Sequence, residues 1–119
     1  MYSLTGKWTM LSGKEKKATA ELKKLAMAVN KKEPGTLLYM IFTPDYQEKN
    51  LPNPPPGEVV FFEIYKDKDA FEKHINGPIF TNFIKKNSSL FLTDFSNINM
   101  YITVKTLSKL EGFVRAGIT

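Results

Sequence analysis

The sequence predicts an α+β fold of the ferredoxin-like type: a four-stranded antiparallel sheet with its helices on one face, in the order β-α-β-β-α-β. Three features predict it. Residues 2–10 alternate between two faces, residues 15–32 carry apolar side chains at helical spacing, and residues 36–43 and 59–65 are two runs of mostly apolar strand formers. With 119 residues, the chain is expected to form a single domain over residues 1–119.

The first strand and the first helix follow from residue spacing. In residues 2–10 every second side chain is apolar or glycine, which predicts a half-buried strand. Ser12 and Glu15 are three positions apart, the spacing of a capping box, so a helix is expected to begin here and to reach Asn30 or Lys32. Its buried stripe is predicted to consist of Ala18, Leu22, Leu25, Ala26 and Val29.

The second and third strands are separated by a proline-rich segment. Pro34 and Gly35 end the helix and turn the chain into the second strand. Residues 50–57 contain four prolines in the sequence NLPNPPPG, which predicts an extended surface loop, with a lid over a pocket as the alternative. The third strand, residues 59–65, is apolar on both faces and is expected to be a central strand.

One acid interrupts the third strand. Glu63 shares a face with Phe61 and Tyr65 by the two-residue period of a strand, so its carboxylate must be paired or must border a cavity. A salt bridge to a lysine of a neighbouring strand, such as Lys105, is the structural alternative to a functional role.

The second helical region is predicted to be broken. Asp67 and Asp69 offer oxygens that start a helix, and Asn76-Gly77-Pro78 interrupts it and opens another. His74 lies on the apolar side of the first segment, and Phe80 lies on the apolar side of the second. A strand, a broken helix and a histidine facing one interior predict a pocket. After the second helical region, we expect a short turn within residues 87–99 and a fourth strand over residues 100–107.

Composition excludes several classes of site. The chain has no cysteine and one histidine, which excludes disulfides and a thiol nucleophile and argues against a metal site built from protein ligands. No stretch resembles a signal peptide or a membrane span, so we expect a cytosolic protein. The net charge of +5 comes from sixteen lysines and one arginine, Arg115, spread without interleaved aromatic residues, so the charge predicts a solvated surface and no nucleic-acid partner.

The second and third strands predict a homodimer. Both are apolar on both faces, whereas the helices of a ferredoxin-like fold cover only one face of the sheet. The other face needs a cover, and a second copy of the chain is the simplest one. We therefore expect a two-fold dimer with its sheets packed face to face.

Three short motifs resemble the antibiotic biosynthesis monooxygenase superfamily, which includes quinol monooxygenases. They are E-P-G-T-L-x-Y at residues 33–39, F-x-x-Y-x-D-x-x-A-F-x-x-H at residues 62–74, and G-P-x-F at residues 77–80. The resemblance implies a dimeric α+β barrel with a small pocket in each subunit. It also implies oxidation of an activated aromatic compound, such as a quinol or a polycyclic anthrone, by O2 without metal or flavin cofactor.

The chemistry of the candidate residues is consistent with such a reaction. A phenolic substrate that loses its proton becomes an electron-rich anion that can reduce O2 directly. His74 is the candidate proton acceptor, and Glu63 is the candidate orienting or accepting carboxylate. The candidate substrate-binding residues are the aromatic side chains Tyr65, Tyr39, Trp8 and Phe80, for which core or dimer packing is the alternative role.

Two other functions are weighed against this one. A dimeric ligand-binding or stress-associated module without catalysis would have the same fold. A haem-degrading branch resembles the sequence less, because it carries an asparagine on the first strand and a tryptophan where this chain has Tyr65. Its iron-ligating histidine falls near Ile84, about three turns after His74.

Overall fold

The computed structural model describes residues 1–92 and 103–118 and confirms the predicted order of elements. Two of its three helices, α2 and α3, form the predicted broken region, and a 3₁₀ turn follows them. The elements are β1 (Tyr2–Thr9), α1 (Glu15–Lys32), β2 (Thr36–Phe42), β3 (Glu58–Tyr65), α2 (Lys68–Asn76), α3 (Pro78–Asn87), the 3₁₀ turn (Ser88–Leu90) and β4 (Thr103–Leu107).

The four strands form one antiparallel sheet in the order β2-β3-β1-β4, which is the ferredoxin-like topology. Strand β3 is an inner strand, as predicted, with β1 on one side and β2 on the other. Residues 103–107 of the predicted fourth strand are confirmed. Residues 100–102, and the part of the predicted turn after residue 92, lie outside the described residues.

The core lies between one face of this sheet and the helices. Strand β1 contributes Leu4 and Trp8, and β3 contributes Val59, Phe61 and Tyr65, all at most 6% exposed. Their alternation follows the two-residue period of a strand. The predicted stripe of α1 packs on this face through its buried residues Ala18, Leu22, Leu25 and Val29, and Ala26 is half-buried.

The predicted capping box at the start of α1 is wrong. Lys14 is the N-cap residue, and no side chain caps the helix. Gly13 has φ +85°, a conformation that side-chain-bearing residues rarely adopt, and the turn that it makes leaves Ser12 exposed outside the helix. The sequence pattern was present, but this turn keeps the serine away from the cap position.

The break between α2 and α3 forms as predicted. The Asp67 carboxylate accepts a hydrogen bond of 2.8 Å from the Ala70 backbone N–H and caps α2. Gly77 ends α2, and Pro78 begins α3, where its missing N–H costs nothing. A Cβ atom at position 77 would lie 2.5 Å from the Lys73 carbonyl oxygen, so only glycine fits this close approach. Within the described part of the chain, none of these helices is long and apolar enough to cross a membrane.

Among the described residues, no helix lies on the opposite face of the sheet. Met40, Phe42 and Phe62 on this face are 44%, 47% and 36% exposed. Phe62 is the strand partner of Met40, and Val60 is the strand partner of Phe42, so these side chains adjoin. We call the patch formed by Leu38, Met40, Phe42, Val60, Phe62 and Ile64 the bare face. In the described part of a single chain, this patch is partly exposed to water.

Candidate functional site

A small cavity of about 160 Å³ lies between the helix-covered face of the sheet and the broken helix. All four strands and both α2 and α3 contribute to its wall, so the whole fold positions it. Most of the wall is apolar or aromatic. The lining residues are Leu4, Gly6, Trp8, Tyr39, Phe61, Glu63, Phe71, His74, Ile75, Phe80 and Val104.

Five of the six residues proposed from the sequence line this cavity: Trp8, Tyr39, Glu63, His74 and Phe80. They come from five different elements, and the two-residue period of the strands together with the helical spacing brings them to one interior. The sixth, Tyr65, does not line the cavity. It is fully buried, and its hydroxyl donates a hydrogen bond to Glu63 Oε1, so it holds a residue that does line the cavity.

The imidazole of His74 is held firmly within the wall. The residue is 2% exposed, and its Nδ1 lies 2.6 Å from Oε1 of Glu33, at the end of α1. The ring also packs among aromatic neighbours. Its centroid lies 5.1 Å from the Phe80 ring, 5.3 Å from the Tyr39 ring and 5.5 Å from the Tyr65 ring. The imidazole is therefore paired with the Glu33 carboxylate and has a fixed orientation.

Burial controls the protonation of the other polar groups. Burial raises the pKa of the Glu63 carboxyl above its usual 4.5, and the hydrogen bond from Tyr65 and the nearby His74 oppose this effect. Burial likewise raises the pKa of Tyr39, and the negative charges of Glu63 and Glu33 add to the effect. The pKa of Tyr65 is raised by burial and then by Glu63. Both phenols therefore stay protonated, and the Tyr65 hydroxyl donates to Glu63.

Sequence spacing did not identify Glu33 as the partner of His74. The two residues are 41 positions apart, and no periodicity links the end of α1 to the middle of α2. The only signal was that both occur in the motifs quoted above. The suggested partner of Glu63 also differs, because Lys105 pairs with Thr5 on the other face of the sheet and Tyr65 takes its place.

A second, wider cleft of about 720 Å³ opens on the other side of His74. Glu33 lines this outer cleft together with charged residues of both signs: Lys32, Lys66, Lys73, Asp67 and Asp69. Of the residues that the structure describes, His74 alone lines both the inner cavity and the outer cleft. The imidazole thus stands between an apolar chamber and a polar, solvent-facing one.

Two other features bear on what the site can do. The loop of residues 50–57 contributes no lining residue to the inner cavity, and its role as a lid stays a prediction. Within residues 1–92 and 103–118, no three His, Asp or Glu side chains come close enough to hold a metal ion.

A family model described as antibiotic biosynthesis monooxygenase matches residues 1–86, which include β1 through α2 and most of α3. The matched segment contains Trp8, Glu33, Tyr39, Glu63, His74 and Phe80. No curated protein sequence matches the chain.

Solved structures share the fold. A Deinococcus radiodurans protein provisionally assigned as an antibiotic biosynthesis monooxygenase has a TM-score of 0.70 at 19% identity, covering 98% of this chain and 100% of its own. A similarly assigned protein from Bacteroides thetaiotaomicron has a TM-score of 0.71 at 18% identity, covering 96% and 93%. PA3566 from Pseudomonas aeruginosa has a TM-score of 0.67 at 22% identity, covering 92% and 94%. At these identities the likeness establishes the fold.

Proposed function

The chain belongs to the antibiotic biosynthesis monooxygenase family, and we propose that it is a cofactor-independent monooxygenase that oxidises a small, single-ring quinol with O2. The observation that carries this proposal is a buried imidazole, paired with a carboxylate, in the wall of a mostly apolar cavity. Such a wall supplies the dry pocket and the proton acceptor that direct oxidation of a phenolate requires.

The cavity volume favours one aromatic ring. The volume of about 160 Å³ is close to that of an engineered protein cavity of about 150 Å³ that binds benzene. A hydroquinone ring is therefore a better match than the polycyclic anthrones or haem that other members of the superfamily take. Trp8 and Phe80 offer flat surfaces on which such a ring can pack.

The proposed reaction begins with removal of a proton. The Nε2 atom of His74 takes the proton of a substrate hydroxyl, and the phenolate formed donates electrons to O2. One oxygen atom forms a new C–O bond on the ring and the other leaves as water, so a hydroquinone and O2 give a hydroxyquinone and H2O. The two electron pairs come from the substrate, and the proton held on His74 is returned to the departing oxygen.

Glu63 is proposed to orient the substrate. Its Oε1 accepts the hydrogen bond from Tyr65, which fixes the carboxyl group on the cavity wall. Its second oxygen can then bond a substrate hydroxyl. Because burial raises the pKa of this carboxyl, its neutral form persists to higher pH than that of a free glutamate, and this form can also donate.

A homodimer is the proposed assembly. The bare face is apolar, and Met40, Phe42 and Phe62 are each more than a third exposed in the single chain. Packing two sheets face to face would remove this surface from water in both copies at once. We keep the cytosolic location as a prediction from the sequence.

Oxygen uptake tests the proposed activity. Metal-free protein is mixed with a set of single-ring hydroquinones, and uptake is compared with that of His74→Ala. We expect uptake by the natural sequence and a loss on the order of 10²-fold or more in the variant, since proton transfer contributes that much to catalysis. Isotopically labelled O2 should place one labelled atom in the product.

Two outcomes would contradict the proposal. Uptake that is equal in the natural protein and in His74→Ala would remove the histidine from the reaction. Thermal stabilisation by the hydroquinones without any uptake would instead favour a ligand-binding module that has the same fold and no catalysis.

A further inference from the structure

We infer that Glu33 is a positioning residue of this site: its carboxylate fixes the tautomer of the His74 imidazole and stabilises the imidazolium that forms when Nε2 takes a proton. The second half of this inference rests on the proposed function, and the first half does not. From the sequence, Glu33 was known only as the first residue of the E-P-G-T-L-x-Y motif.

The contact between Glu33 and His74 determines where the ring proton lies. The distance from Nδ1 to Oε1 is 2.6 Å, which is a short, charge-assisted hydrogen bond. An ionised carboxylate only accepts hydrogen bonds, so the proton of a neutral imidazole must be on Nδ1. The lone pair is then on Nε2. Histidine in water prefers the opposite tautomer, with its proton on Nε2, so Glu33 reverses the intrinsic preference.

Burial makes the charge of Glu33 necessary. His74 is 2% exposed, and a protonated imidazole in such a place is costly unless an opposite charge is in contact with it. The Glu33 side chain is 17% exposed and borders the outer cleft, so it keeps part of its hydration while it contacts the ring. The surrounding titratable groups are the phenols of Tyr39 and Tyr65, the carboxyl of Glu63, and the charged residues of the outer cleft, Lys32, Lys66, Lys73, Asp67 and Asp69.

The turn after α1 is built to hold Glu33 in this place. The Glu33 backbone N–H donates to the Val29 carbonyl at 2.9 Å, and its carbonyl accepts from the Thr36 N–H at 3.0 Å. The Gly35 carbonyl accepts from the Lys66 N–H at 2.8 Å, which ties the turn to the end of β3.

Gly35 brings this turn against α2. A Cβ atom at position 35 would lie 2.8 Å from Cβ of Ala70, too close for any larger residue without displacement. Ala70 lies four residues before His74, on the same side of α2. The missing side chain at Gly35 therefore lets the turn approach the helix closely enough for Glu33 to reach the imidazole.

The tautomer is measured by NMR on protein labelled with nitrogen-15 in its single histidine. At a pH where the ring is neutral, we expect the natural protein to show the proton on Nδ1. Glu33→Ala should shift the population toward the Nε2–H tautomer. Glu72→Ala removes an exposed carboxylate of α2, the helix that carries His74, and should leave the tautomer population unchanged. An Nε2–H tautomer in the natural protein, or an Nδ1–H tautomer that survives Glu33→Ala, would overturn the inference.

A second variant and a rate measurement complete the test. Should Glu33→Ala fail to fold, Glu33→Gln decides in its place: its amide offers both a donor and an acceptor, so a second tautomer is expected and its absence would overturn the assignment. With a quinol that the natural protein oxidises as substrate, kcat should fall on the order of 10²-fold in Glu33→Ala with little change in KM. An unchanged kcat would overturn the stabilising role. If no quinol is oxidised, the proposed function fails, while the tautomer still decides the role of Glu33.

Discussion

Adjacent residues of strand β3 lie in opposite surroundings. Phe61 faces the helices and is 3% exposed, whereas Phe62 lies on the bare face and is 36% exposed. The polar groups Glu63 of β3 and His74 of α2 lie between the helix-covered face and the helices, and each has a partner within the same chain. On the opposite face, β2 and β3 contribute the apolar patch, and Glu58 pairs with Lys7 at the end of β3. Under the proposed function, a single chain builds its own reaction chamber, and the opposite face is left for a second copy to cover.

Truncating the two phenylalanines should separate the faces most clearly. Phe61→Ala is expected to lower the free energy of unfolding by about 3–5 kcal/mol, because it removes a buried ring that lies 4.9 Å from that of Trp8. Phe62→Ala should lower the free energy of unfolding of the single chain by less, and it should instead weaken the proposed dimer. Chemical denaturation at several protein concentrations measures both effects. Equal losses of unfolding free energy in the two variants, independent of protein concentration, would contradict the difference between the two faces.

Removing the Tyr65 hydroxyl should have a smaller effect, confined to the helix-covered face. Tyr65→Phe leaves the buried Glu63 without its hydrogen-bond donor, so we expect a loss of about 1–3 kcal/mol in the free energy of unfolding. Tyr2→Phe, at the partly exposed start of β1, is the matched control and should cost much less. A loss as large in the control would mean that the bond to Glu63 contributes nothing specific.

The smallest effect is on pH dependence. Because the pKa of Glu63 is raised in the folded state, the folded chain keeps this proton to higher pH than the unfolded chain does. The free energy of unfolding should therefore decrease as the pH rises from about 4.5 through the raised pKa. Glu63→Gln has no proton to lose there and should lack this decrease. A difference between the two proteins that is constant with pH would contradict the raised pKa.

Most of the fold could be predicted from the sequence because its signals are local. The alternation in β1 and the helical spacing in α1 report directly which side of each element is buried. The cap of α1 could not be predicted in the same way. The Ser12 and Glu15 spacing fits a capping box, but whether the serine reaches the cap depends on the turn at Gly13.

The candidate site could be predicted less completely because it depends on distant contacts. Trp8, Tyr39, Glu63, His74 and Phe80 each lie on the inward side of a correctly predicted element, and the topology then brings them to one cavity. The role of Tyr65 behind Glu63 depends on a side-chain rotamer. The Glu33 contact depends on how closely the turn at Gly35 approaches α2, which no residue pattern reports.

Binding of a single-ring quinol beside Trp8 tests the central claim most directly. Trp8 is the only tryptophan and lines the inner cavity, so its fluorescence reports on that place alone. In an oxygen-free titration, corrected for absorption by the ligand, we predict a saturable change with hydroquinone and none with a three-ring anthrone. No change with hydroquinone, or an equal change with both compounds, would contradict a ring-sized reaction chamber at this site.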